Sequence, residues 1–149
     1  MQCGVDDGVA ERRLEPGGLL HEHVPLDAAE PARVGEVALF VDADPDQVDA
    51  AMEVGANAVE LHTGDFANAR TPQAAEHQAG LLARAAARAH GLGLAVHAGH
   101  GLDYRNYATF QRLVPHVHEV SIGFAVVARA VLVGLEQAVR EMRLVVKGY

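Results

Sequence analysis

Cysteine occurs once, at Cys3, tryptophan is absent, and aromatic residues make up 5% of the 149-residue chain. A lone thiol excludes an internal disulfide framework. No apolar run approaches the ~18 residues of a membrane-spanning helix, and mean hydropathy is close to zero at +0.05. Positive charge is also scarce: 12 Lys and Arg stand against 20 Asp and Glu, for a net charge of −8. Phosphate neutralisation needs a basic surface, so this balance argues against a nucleic-acid partner. Residues 1–30 lack the charged, apolar, then small-residue order of a secretory signal. The expectation is a cytoplasmic soluble protein. Lysine is nearly missing too. Eleven of the 12 basic residues are Arg, the side chain best matched to phosphate-like anions. The nine His form no run, and most are expected to be surface or structural.

Half of the residues are hydrophobic and 21% are charged, which is a globular composition. The length suits one domain. It is too short for a complete (β/α)₈ barrel, which takes ~250 residues, or at least ~200. Residues 1–36 show no sustained period, and Pro16, Gly17, Gly18, Pro25 and Pro31 interrupt them, so they read as an irregular leader. Residues 37–149 read as one domain in which strand and helix alternate.

Val37 to Val41 is a short apolar run expected to be a buried strand. Asp44 then reads as an N-cap, with Pro45 at the first helical position and Gln47 completing a capping-box-like pattern. Val48, Ala51 and Met52 follow at helical spacing, and Gly55 ends the helix. Ala58–His62 reads as a second strand, 74–90 as an Ala-rich helix, and Leu94–His97 as a third strand. A short helix over 106–113, a strand over 117–122 and helices over 124–133 and 135–145 complete the pattern. Strand–helix alternation of this kind implies a parallel sheet with right-handed crossovers. No Gly-x-Gly-x-x-Gly follows the first strand, which disfavours a dinucleotide-binding fold.

Three places can carry chemistry. Alternation puts Glu60 and His62 on one face of the second strand, where an unpaired charge is costly. They either line a site at the strand's C-terminal end or pair with each other or with Arg. His97-Ala98-Gly99-His100-Gly101-Leu102 ends the third strand. Its glycines permit close backbone approach, and His100 can exchange a proton near neutral pH. The alternative is a tight turn with a solvated His. At Ser121-Ile122-Gly123-Phe124, a glycine at a strand-to-helix junction offers free amides to a phosphate, although packing is the commoner reason for such a glycine. Two metal readings are weaker. Asp42 and Asp44 suit Mg²⁺, but Asp44 is better explained as a cap. His62, His97 and His100 suit zinc, but lack supporting spacing.

VALFVDADP from Val37 to Pro45, Glu60-Leu61-His62-Thr63-Gly64, Ala98-Gly99-His100-Gly101-Leu102, Ile122-Gly123, Ala128-Arg129-Ala130 and GLEQAVREM from Gly134 to Met142 stand in this order. Together they closely resemble the C-terminal half of the pyridoxine 5′-phosphate synthase family, over Val37 to about Met142. Glu11-Arg12-Arg13 and Gly17-Gly18-Leu19 weakly echo a segment before the family's fifth strand. The resemblance implies an α/β fold of parallel (β/α) units, a partial TIM barrel holding the last four strands of a (β/α)₈ barrel. It implies condensation of 1-deoxy-D-xylulose 5-phosphate with 3-amino-2-oxopropyl phosphate in vitamin B6 biosynthesis, with no metal or organic cofactor. By resemblance Glu60 assists catalysis, His100 transfers protons, and Gly101 and Gly123 contact phosphorylated substrate.

Phe124 replaces the family's usual His, which leaves a main-chain contact but no such side chain. His97 stands where Asn is common. The first three barrel strands, which in the family carry another catalytic glutamate, a histidine and substrate-binding arginines, have no counterpart. The expectation is therefore a truncated enzyme, weakly active or inactive alone. Four parallel strands also leave two bare edges and an uncovered face, so a homo-oligomer is expected. The alternatives are a non-catalytic phosphate-binding half-barrel that pairs with itself or an intact relative, and a different barrel enzyme acting on a phosphorylated sugar.

Overall fold

The computed structural model describes residues 37–147; the leader expected over 1–36 lies outside the described residues. The elements are β1 (Ala38–Val41), α1 (Pro45–Glu53), β2 (Ala58–His62), α2 (Gly64–Ala67), α3 (Pro72–Gly91), β3 (Ala95–Gly99), α4 (Tyr107–Leu113), β4 (Val117–Ser121), α5 (Phe124–Val133) and α6 (Leu135–Lys147). The four strands form one sheet in the order β1-β2-β3-β4, with every neighbouring pair parallel. Strictly sequential order has no reversal point of the kind a doubly wound sheet needs. It is the order of consecutive strands in a (β/α)₈ barrel, and the fold is α/β with a partial TIM-barrel arrangement.

Local chemistry explains the element boundaries. Asp44 is extended, and its carboxylate accepts from the Asp46 amide at 3.0 Å, with Pro45 opening α1. This is the capping role expected of Asp44. Thr71 caps α3 in the same way, accepting from the Ala74 amide at 3.2 Å, with Pro72 in the first turn. That cap starts α3 two residues before the predicted Ala74. The short α2 was not predicted, because four residues are too few to show a period.

One face of the sheet packs on helices. Val59 and Leu61 of β2 and Val96 and Ala98 of β3 are fully buried there, against Val48 and Ala51 of α1 and Leu82, Ala85, Ala86 and Ala89 of α3. The alanine stripe of α3 lets its backbone approach the sheet closely, and Phe110 of α4 closes the layer against Phe66. Burying a Leu such as Leu82 stabilises by about 1.5–3 kcal/mol. Among the described residues the other face is open, and it carries Phe40, Glu60, His62, His97, Glu119 and Ser121. Of these, Phe40, Glu119 and Ser121 are exposed. Helix α5 is apolar throughout most of its length, yet buries none of its residues among the described part of the chain.

Candidate functional site

All four strands run parallel, so their C-terminal ends lie along one edge of the sheet and the following loops gather there. The loop after β3 carries the imidazole of His100. It takes an unusual path: His100 has φ 90° and Gly101 has φ 81°. A non-glycine residue in this region costs about 1–3 kcal/mol and needs support from its surroundings. Thr63 supplies it. Thr63 is fully buried just after β2. Its amide donates to the Gly99 carbonyl at 2.8 Å, and its hydroxyl lies 2.7 Å from the carbonyl oxygens of both Gly99 and His100. Gly101 is needed twice over, for its positive φ and because a Cβ there would come within 2.7 Å of the Ala67 Cβ.

Glu60 lies on the open face of β2. Its carboxylate reaches across β3, and a Cβ at Gly99 would collide with Glu60 Oε1. Gly99 therefore makes the space in which this carboxylate sits. Glu60 forms no ion pair and accepts no side-chain hydrogen bond among the described residues. Glu60 and His62 pair neither with each other nor with an Arg among the described residues. His62 turns to its own neighbours, with Nδ1 3.6 Å from Asp42 Oδ1 and its ring against Phe40 and His100, at centroid separations of 5.2 and 5.0 Å. Glu60 turns to a cavity.

That cavity measures about 1280 Å³, and Glu60, His100, Gly101, Gly123 and Phe124 all line it. Residues from three strand ends, far apart in the chain, thus converge on one space. At Gly123 a Cβ would meet no atom of the described residues within 4 Å. Packing therefore does not account for this glycine; its bare backbone faces open cavity. It opens α5, which has no side-chain cap, so first-turn amides are left without side-chain acceptors. A helix N-terminus of this kind favours an anion. Phe124 is 88% exposed at the mouth.

Two lining residues, Tyr104 and Arg105, carried no signal in the sequence, and Ser121 and Arg129 appeared there only as members of their short blocks. The Arg129 guanidinium donates to both oxygens of Glu141, at 2.8 and 3.2 Å, and with help from Gln137 holds that carboxyl below its ordinary range. Tyr104 donates its hydroxyl to the Ala138 carbonyl at 2.9 Å, tying the β3–α4 loop to α6. Burial pushes the Asp103 carboxyl up, but the amides of Asn106 and Arg105 and the Arg105 guanidinium outweigh it and leave it below its usual value. The Arg129–Glu141 and Tyr104–Ala138 contacts had no sequence signature, since each joins elements whose packing had to be known first, whereas those of Asp103 are local to its own loop. Thr63 and Gly99 were legible only as members of their short blocks. His62, His97 and His100 do not assemble: among the described residues, no three His, Cys, Asp or Glu are placed to hold a metal ion.

Comparison with known proteins bears on this site. A curated pyridoxine 5′-phosphate synthase of Salinibacter ruber is 62% identical over 115 residues, covering 77% of this chain and 47% of that protein. Those of Akkermansia muciniphila and Idiomarina loihiensis are 50% and 49% identical over 108 residues, each covering 72% of this chain and 44% of the relative. The chain spans about half the length of the curated relatives it matches. A family profile described as "Pyridoxal phosphate biosynthesis protein PdxJ" matches residues 27–148. With most of the chain matched, the cavity-lining blocks included, the chain belongs to this pyridoxal phosphate biosynthesis family.

Proposed function

We propose that this chain carries part of a pyridoxine 5′-phosphate synthase active site, acting on 1-deoxy-D-xylulose 5-phosphate and 3-amino-2-oxopropyl phosphate to give pyridoxine 5′-phosphate, inorganic phosphate and water. The observation that carries the reading is the single cavity onto which Glu60, His100, Gly101 and Gly123 converge. In it, main-chain amides at Gly101, Gly123 and Phe124 hold the phosphate of a substrate. His100 moves protons at the reacting carbons, and the Glu60 carboxylate stabilises the positive charge that develops when the amine condenses. A ring closure with several proton transfers needs several positioned groups. Assayed alone, the chain is expected to turn over weakly or not at all. The same reading makes it a cytoplasmic protein whose partners are phosphorylated small molecules, with no nucleic-acid or membrane partner. No described helix is long and apolar enough to cross a membrane.

A second reading is favoured by the sheet itself. Neither β1 nor β4 has a further strand beside it among the described residues, so a phosphate-binding half-barrel that pairs with a second copy or an intact relative also fits. Glu60→Gln separates the two readings. With both substrates supplied and product followed by mass spectrometry, lost turnover with retained phosphate binding supports the synthase. Phosphate binding with no turnover in either protein, even when the remaining strands are supplied by an intact relative silenced at its own equivalent glutamate, supports the binder. Absence of phosphate binding removes both.

A further inference from the structure

We propose that His118 is a positioning residue that sets which side chains β4 presents to the cavity. Strands β3 and β4 do not pair in simple register. Val117 lies opposite Val96, but Glu119 lies opposite His97, so His118 is an extra residue in the ladder. A bulge of this kind leaves a backbone donor without its usual carbonyl. Here the Val96 amide donates instead to Nδ1 of His118, at 3.2 Å. The imidazole occupies the place of a main-chain acceptor, and it does so from the bulged residue itself.

The consequence is read from the faces of β4. Val117 and Val120, three positions apart, both pack against the core, as does Ile122. Strict alternation cannot place residues three apart on one face; the extra residue allows it. Glu119 and Ser121 then fall abreast of His97 and Gly99 on the open face, and Ser121 lines the cavity beside Gly123. Without the bulge, and with Val117 still opposite Val96, Glu119 would lie opposite Ala98 on the helix-covered face. Val120 would lie opposite Gly99, on the cavity side. Burial of an unpaired carboxylate opposes that register, but the chain must still satisfy the Val96 amide to leave it, and His118 is the group that does so.

The test uses the whole chain and needs no turnover. Exchange of the Val96 amide is measured by NMR alongside that of Leu61, a reference in the unaltered β2, and inorganic phosphate is titrated in parallel. His118→Ala is expected to speed exchange at Val96 at least tenfold relative to Leu61. His118→Asn, whose Oδ1 falls where Nδ1 lies, is expected to restore protection, whereas His118→Gln, with its carbonyl one bond further out, is not. If His118→Ala fails to fold, the Asn and Gln pair decides alone. Unchanged Val96 exchange in His118→Ala, equal acceleration at Leu61, or equal rescue by Gln and Asn would overturn the proposal. The phosphate titration rests on the proposed function, and a several-fold loss of affinity in His118→Ala reversed in His118→Asn is its expected result. Should the unmodified chain bind no phosphate, the functional reading fails while Val96 exchange still decides the role of His118.

Discussion

Thr63 bears the most structural weight of any single residue at the site, because it supports a histidine in a backbone region that side chains avoid. Its hydroxyl serves the carbonyl oxygens of both Gly99 and His100. Thr63→Val keeps the shape and removes the donor. The expected loss is about 1–3 kcal/mol, the cost of leaving a buried acceptor unpaired, seen as a lower denaturation midpoint. Thr63→Ser should keep most of it. Gly123 is the opposite case, a residue whose substitution spares the fold. A Cβ there has open space, and Gly123→Asp adds an N-cap and a negative charge at the positive end of α5. Thermal stability is therefore expected to hold or rise, while inorganic phosphate, repelled by the new carboxylate, no longer binds in calorimetry. Loss of both together would mean that the glycine serves the fold after all. Glu60 and His100 were legible at this scale, since alternation and a Gly-flanked imidazole mark them. The separation of Glu60 from His62 was not, because the two share a face in sequence and only the approach of Asp42 and the gap at Gly99 send them to different neighbours.

At the scale of elements, strands and helices follow from patterns the chain displays openly. Asp44-Pro45 and Thr71-Pro72 start α1 and α3 by capping. Asp44→Ala is expected to cost about 1 kcal/mol, within the ~0.5–2 kcal/mol range of such caps, and urea unfolding would record it. Leu82 of α3, 2% exposed among buried alanines, should cost about 2–5 kcal/mol when cut to Ala, since small neighbours cannot close the cavity. The strand that hides its logic is β4. Its valines at 117 and 120 break the period of two, and the break was visible in the sequence. Its meaning was not, because a missed beat in a pattern shows neither which partner strand is skipped nor which side chain fills the gap.

For the whole molecule, ionisable groups set how the fold responds to acid. The Asp103, Glu141 and Asp49 carboxyls all sit below their ordinary values in the folded chain. A depressed native pKa means that the unfolded chain binds protons more readily, so stability is full above the unfolded carboxylate range of about 4 and is lost as pH falls through the lower native values. Denaturation midpoints measured from neutral pH downward should therefore be flat and then drop below about pH 4. Arg129→Met should shrink the part due to Glu141. Tyr107 acts at the other extreme. Burial raises its pKa, so its contribution persists below about 10, the usual Tyr value, and fades as pH rises beyond it.

What the amino-acid order determined alone was the alternation of strand and helix, the caps, the buried stripe of α3 and the blocks that mark the family, because each is a local pattern with a fixed period or spacing. The parallel arrangement brings the strand ends that carry Glu60, His100 and Gly123 to one edge of the sheet, where they line one cavity. Its shape was decided only by tertiary structure: the lean of Glu60 over Gly99, the clamp of Thr63 on the His100 loop and the turn of β4 at His118. These depend on which backbone lies beside which, and a register shifted by one residue would place different side chains at the same edge of the sheet.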